Sequence, residues 1–146
     1  MTGQLSSSTR GYTQSWKAST RAAQEARARH GAQTPLDHAH LARYTLGDRQ
    51  LELEILDLFL GEAPQTLDRL KDQAATCPCD KKNWVAGCHT LKGSARAVGA
   101  MDVAAAAESA EKESQLTHDR LDGHLLAMAA SLAAVSAYIA DWRQRS

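Results

Sequence analysis

Seven apolar residues near the C-terminal end, Leu121, Leu125, Met128, Leu132, Val135, Ile139 and Trp142, recur at intervals of 4, 3, 4, 3, 4 and 3. A strand repeats every second residue, so this pattern excludes one. It fits a helix, whose turn takes about 3.6 residues. Sustained over three heptads, such a seam has to be buried against other helices. The composition supplies them. Val and Ile are scarce, alanine is abundant, and aromatic residues make up 5% of the 146. That balance favours helices packed closely through small side chains over sheets. Three prolines and nine glycines are too few for a loop-rich fold.

Upstream, the cap residues divide the chain. Asp37 is placed to cap a short helix, "HAHLARYT", that turns Leu41 and Tyr44 inward. Gly47 ends it. Asp48 caps "RQLELEILDLFLGEA", whose stripe reads Leu51, Ile55, Leu58 and Phe59. Pro64 either kinks that helix or starts a new one at "PQTLDRLKDQAA", where Leu67, Leu70 and Ala74 continue the stripe. "TCPCD" is a turn, and Asp80 caps the next helix. Its seam is Trp84, Cys88, Leu91, Ala95 and Val98, and Gly99 closes it. Asp102 is expected to cap a helix with Val103, Ala107, Ala110 and Ser114 inward, and Asp119 to open the last one. His38 and His40 read as surface residues. The expectation is an all-α fold: an antiparallel four-helix bundle over residues 35–146 with a short additional N-terminal helix. Residues 1–34 form a basic arm, flexible or partly helical over "WKASTRAAQEARAR".

Formal net charge is zero, but it is unevenly spread. Residues 1–34 carry five basic residues and one acid, a net of +4, and residues 35–146 carry twelve basic and sixteen acidic residues, a net of −4. An acidic folded part argues against a globular nucleic-acid binder, and the arm reads as a solvated tail. The run Leu125 to Ala140 is short for a membrane span, contains Ser131 and Ser136, and is bounded by His124 and Asp141. It reads as a buried bundle helix, with no membrane role. Cys77, Cys79 and Cys88 give an odd count without a disulfide framework. "MTGQLSSSTRGY" has no apolar signal core, so reduced thiols and a cytoplasmic location are expected.

The chemistry concentrates in "CHTLKGSARAVGA", Cys88 to Ala100. His89, Lys92, Gly93 and Arg96 stand at i, i+3, i+4 and i+7, a single helix face. A core stripe there would be apolar. This one is cationic, and the seam lies beside it, so the three long side chains are expected toward solvent. A neutral imidazole is a good nucleophile near pH 7, because its unperturbed pKa is about 6.5. Attack on a phosphoryl group places new negative charge beside the ring, and Lys92 and Arg96, one and two turns on, are spaced to neutralise it. Gly in a helix interior costs about 1 kcal/mol against Ala. Close approach by a second protein gives Gly93 a reason to be there.

These residues closely resemble the histidine-containing phosphotransfer (HPt) domains of bacterial phosphorelays. The shared pattern is His, any residue, Leu, Lys, Gly, then Ser or Ala, with a Gly-Ala pair about ten residues beyond the His. "LEILDLFLGEAPQTLDRL" and "AESAEKE" extend the likeness, which spans roughly Leu36 to Trp142. The resemblance implies a phosphocarrier without its own ATP site. His89 Nε2 would take a phosphoryl group from a receiver's aspartyl phosphate and pass it to another receiver. The implied partners are receiver domains of a hybrid histidine kinase and a response regulator, met by a monomer. The implied Mg²⁺ belongs to the receiver, so this chain needs no cofactor. Ser94 sits near the His in the family pattern, and Glu111 falls where many members carry a glutamate on the facing helix. Cys88 stands where an alanine is common.

Other readings compete. Cys77, Cys79, Cys88 and His89 include zinc-type ligands, but a one-residue spacing is poor for zinc, and Cys88 and His89 point about 100° apart on a helix. A dimerising kinase helix usually has an acid after its His, and here Thr90 follows His89. The phosphotransfer domain of a larger, chemotaxis-type kinase keeps the same fold. The end at Ser146, just past the last helix, favours a stand-alone protein. A helical interaction module with an incidental His shares the bundle and the face.

Overall fold

The computed structural model describes residues 34–76 and 79–145. The arm expected over 1–34 lies outside them but for Thr34, as does Cys77. Among the described residues the fold is all-helical, with five helices and no strand. They are α1, His38–Thr45; α2, Arg49–Ala75; α3, Lys81–Val98; α4, Met101–Glu111; and α5, His118–Gln144. The last four close a ring. α3 packs on α2 and α4, α5 packs on the same two, and α3 and α5 stand diagonally. Asp57 of α2 pairs with Arg143 of α5, while Lys71 and His118 line one groove at the other end, so these two helices run antiparallel.

Local chemistry sets the helix ends. Asp37, Asp48 and Asp80 each accept a hydrogen bond from a backbone N–H of the first turn, as expected. Two other caps differ from expectation. Ala100 precedes α4 with no side-chain cap, and Asp102 lies inside its first turn. Thr117, not Asp119, caps α5 by accepting from the Arg120 N–H. Both aspartates still sit where the helix dipole favours a negative charge. α1 ends on Leu46 at φ 54° followed by Gly47 at φ 81°, so the left-handed turn begins one residue before the glycine.

The core reproduces the two cleanest seams. Trp84, Cys88, Leu91, Ala95 and Val98 of α3 are all buried, as are Leu121 to Ile139 of the α5 repeat, with Trp142 half-buried. α2 is displaced from its expected stripe. Its inward residues are Glu52, Leu56, Phe59, Ala63, Leu67, Leu70 and Ala74, whereas Leu51 and Leu58 are exposed. Tyr44 is exposed as well, and Thr45 takes the inward place on α1. Thr45 donates to the Glu52 carboxylate at 2.8 Å, which lets an acid occupy a core position. Pro64 neither ends α2 nor restarts it; the helix runs through. Ser114 is exposed, beyond the end of α4. His38 and His40 are half-buried rather than free on the surface, and His38 Nε2 meets the Tyr138 hydroxyl at 2.6 Å.

Candidate functional site

α3 carries the site residues because its seam turns the neighbouring face outward. His89 follows buried Cys88, and its side chain is 69% exposed. Across from it stands the C-terminal turn of α4. Trp84, one turn before Cys88, fixes that turn in place: its buried indole N–H donates to the Ala110 carbonyl at 2.9 Å. The next residue, Glu111, reaches back to α3. Its Oε2 lies 2.8 Å from His89 Nδ1, and its Oε1 accepts from Lys92 Nζ at 2.6 Å. One carboxylate therefore bridges the imidazole and the ammonium.

The electrostatics follow from that bridge. The hydrogen bond from Lys92 holds the Glu111 carboxyl below the usual carboxylate range, with a further contribution from His89, against the opposing effect of desolvation. An ionised carboxylate only accepts hydrogen bonds, so His89 Nδ1 must carry the proton. The lone pair of the neutral ring then sits on Nε2, on an exposed side chain. Lys92 is not a solvent-facing cation as its spacing suggested. Its side chain is only 14% exposed because the Glu111 carboxylate draws it down against α4.

Arg96 forms a second pair, about 6 Å beyond Lys92 along α3, its Nη2 donating to Glu108 Oε1 at 3.2 Å. Glu108 also meets Lys112 at 3.8 Å. The i, i+3 spacing of Glu108 and Glu111 was a readable signal that α4 presents two acids to the basic stripe, and sequence reasoning missed the first. Ser94 stands off the stripe, its hydroxyl donating to the Thr90 carbonyl of its own helix at 3.0 Å. A Cβ built on Gly93 would meet nothing within 4 Å, so no contact among the described residues requires that glycine. Gly87, one residue before Cys88, is the packing glycine: its Cβ would come within 2.7 Å of Leu70 Cδ2.

Cys88 does not join the site. Cys88 is fully buried, and burial, with the nearby Glu111 and Cys79 charges, pushes its thiol up to about 12. It points into the core while His89 points out. Among the described residues no group of three or more His, Cys, Asp or Glu side chains is placed to hold a metal.

The site is thus an exposed imidazole held on a carboxylate, midway along one helix of the bundle. The Hpt domain family model matches residues 54–138, more than half of the 146. This chain belongs to the Hpt domain family, whose members are phosphocarrier modules that exchange phosphoryl groups with receiver domains in phosphorelays. Comparison with curated proteins and with solved structures found no match.

Proposed function

We propose that this chain is a relay intermediate that accepts a phosphoryl group on His89 Nε2 from a receiver aspartyl phosphate and hands it to a second receiver. The Nδ1–Glu111 hydrogen bond at 2.8 Å carries this reading, since it fixes the tautomer that leaves Nε2 nucleophilic. In the forward step a bond forms between Nε2 and phosphorus. The bond from phosphorus to the aspartyl oxygen breaks, and the receiver's carboxylate leaves with the electron pair. The ring keeps its Nδ1 proton and becomes cationic. Glu111 stabilises that charge where it develops. Lys92, tethered to the same carboxylate, lies one turn away to offset the charge of the phosphoryl oxygens, and Arg96 extends the cationic edge. Gly93 leaves the approach to the ring bare.

The transition state demands Mg²⁺ and an acidic pocket, which belong to the receiver in this reading; the chain brings nucleophile, shape and counter-charge. It works as a cytoplasmic monomer between a hybrid kinase and a response regulator, and it has no ATP site of its own. The test is incubation with a phosphorylated receiver, followed by assay for an acid-labile, base-stable phosphoryl bond. His89→Gln should abolish acceptance while keeping the helical fold and receiver binding. Acceptance by the Gln variant, or none by the wild-type chain from any receiver, would sink the proposal.

A further inference from the structure

The C-terminal turn of α4 is unfavourable on local grounds. It carries Glu108 and Glu111, with Glu113 two residues beyond, and no basic residue falls within it. Unpaired carbonyls give a helix C-terminus a partial negative charge, so acids there are destabilising. Lys112, just past the end, is well exposed and lies 3.8 Å from Glu108. α4 is 11 residues long, and Ala100 gives its start no side-chain cap. A helix that short is marginal by itself. Groups outside α4 have to hold this turn.

Two neighbouring helices do so. From α3, the Trp84 indole donates to the Ala110 carbonyl, and His89 and Lys92 engage Glu111. From α5, His124 and Arg120 engage Glu113. His124 Nε2 lies 2.9 Å from Glu113 Oε1, and Arg120 Nη1 lies 3.7 Å from the same oxygen. The second oxygen, Oε2, accepts from the Gln115 N–H at 3.1 Å. The Glu113 side chain is only 10% exposed, and a carboxylate so covered needs such partners. The His124 hydrogen bond, then that of Gln115, holds its carboxyl below the usual range against desolvation, and Arg120 adds to the effect. An ionised carboxylate only accepts, so His124 donates through Nε2.

The two sets of contacts meet at one atom. The Ala110 carbonyl that accepts from Trp84 also accepts from the Glu113 N–H at 3.3 Å. Glu111 lies between those two residues and is the last residue of α4. Helix ends fray from the outside inward. Without an anchor on the α5 side, Glu111 is the first helical residue released. A misplacement of about 1 Å in a positioned group is enough to cost up to about a hundredfold in rate.

We propose that Glu113 and His124 are positioning residues for phosphoryl transfer: their pair fixes the turn after α4 and, through it, the Glu111 carboxylate on His89 Nδ1. Neither residue touches the phosphoryl group. Two imidazole–carboxylate pairs thus stand two residues apart along the chain, an exposed one that reacts and a covered one that holds it in place. The inference rests on the phosphotransfer reading.

The test uses the full chain, a phosphorylated receiver and the ¹⁵N resonances of the His89 ring. His124→Ala should slow phosphoryl acceptance about tenfold below its unfolding transition, with receiver affinity unchanged. The His89 nitrogens should move from the Nδ1–H tautomer toward a mixture. Glu113→Ala cuts the same pair from the other side and should reproduce both effects, and the double variant should be no slower than either single one. His124→Gln keeps an N–H donor and should restore the rate and the resonances. A pair with a purely structural role would lower the urea midpoint and leave the rate and the His89 resonances at wild-type values, which would overturn the proposal. So would single effects that multiply in the double variant, or a loss of receiver affinity in place of rate. Failure of the phosphotransfer reading looks different: the wild-type chain then accepts nothing from any receiver, while the ring resonances still report whether the pair positions Glu111.

Discussion

Three glycines of α3 and its cap carry three separate jobs. Gly99 holds φ 86°, and a Cβ there would lie 2.7 Å from the Asp37 carbonyl oxygen, which fixes the α1 entry against the end of α3. Gly87 makes room for Leu70. Of these three, Gly93 is the one whose added Cβ would meet nothing within 4 Å, so its cost of about 1 kcal/mol against Ala is uncompensated among the described residues. Gly93→Ala should therefore raise stability by about 0.5–1 kcal/mol, read as a higher urea midpoint with unchanged slope. A bulkier Gly93→Gln should keep the fold and slow phosphoryl acceptance from a receiver. Equal transfer rates in that variant would remove the access role.

Glu111 sets a pH dependence at the same scale. Its folded-state pKa is depressed, chiefly by Lys92. The stabilisation this brings is present above the unfolded carboxyl value of about 4.3 and is lost as pH falls through the lower folded value. Glu111→Gln should thus flatten the loss of Tm below about pH 4.5, measured between pH 3 and 6. At pH 7 it should slow acceptance about tenfold or more, because the ring loses the charge that stabilises its cationic form. An unchanged rate would mean that the bridge holds Lys92 and has no part in the chemistry. The sequence revealed the His89 stripe, because spacing within one helix is a local property. It did not reveal the engagement of Lys92, because that depends on which α4 residue lands opposite.

At the level of elements, legibility tracked the purity of the pattern. α3 buries its 4-3 seam as read, residue for residue, and α5 buries its repeat from Leu121 to Ile139 with Ala130 and Ala134 added and Trp142 half-buried. α2 carries leucine or isoleucine at 51, 53, 55, 56, 58 and 60, so apolar residues occur all around it and several stripes compete. The winning one includes Glu52, an acid that accepts a hydrogen bond from the Thr45 hydroxyl in the core. That partner sits across a turn and gives no periodic signal. The join between α3 and α4 depends on a bond equally silent in the sequence, from the Trp84 indole to Ala110. Trp84→Phe keeps most of the buried area but leaves that carbonyl without its donor. It should cost about 1–3 kcal/mol in urea unfolding. It should also weaken the His89–Glu111 contact, seen as a shifted imidazole resonance. A loss of stability with an unmoved resonance would show that α4 holds Glu111 without the tryptophan.

For the molecule as a whole, the bundle separates its closed end from its chemical face. The closed end is an aromatic and cationic cluster. Arg49 Cζ lies 4.2 Å from the Trp142 ring centroid, and its Nη2 donates to the Trp142 carbonyl at 3.3 Å. The His38 ring centroid stands 5.1 Å from that of Trp142, and His38 is bonded to Tyr138. These contacts tie α1 and the start of α2 to the end of α5. His89 lies on the diagonal helix, nine residues or about 14 Å from the end of α3. Trp142→Ala removes the cation–π contact and a half-buried ring together. It should lower stability by about 2 kcal/mol, roughly 10 °C in Tm for a bundle of this size. Phosphoryl acceptance below the transition should match the wild-type rate, since Trp84, Glu111, Lys92 and the Glu113–His124 pair hold the site away from that cluster. If the rate instead falls in step with stability, the two ends are coupled, and the site draws its geometry from the whole ring of helices.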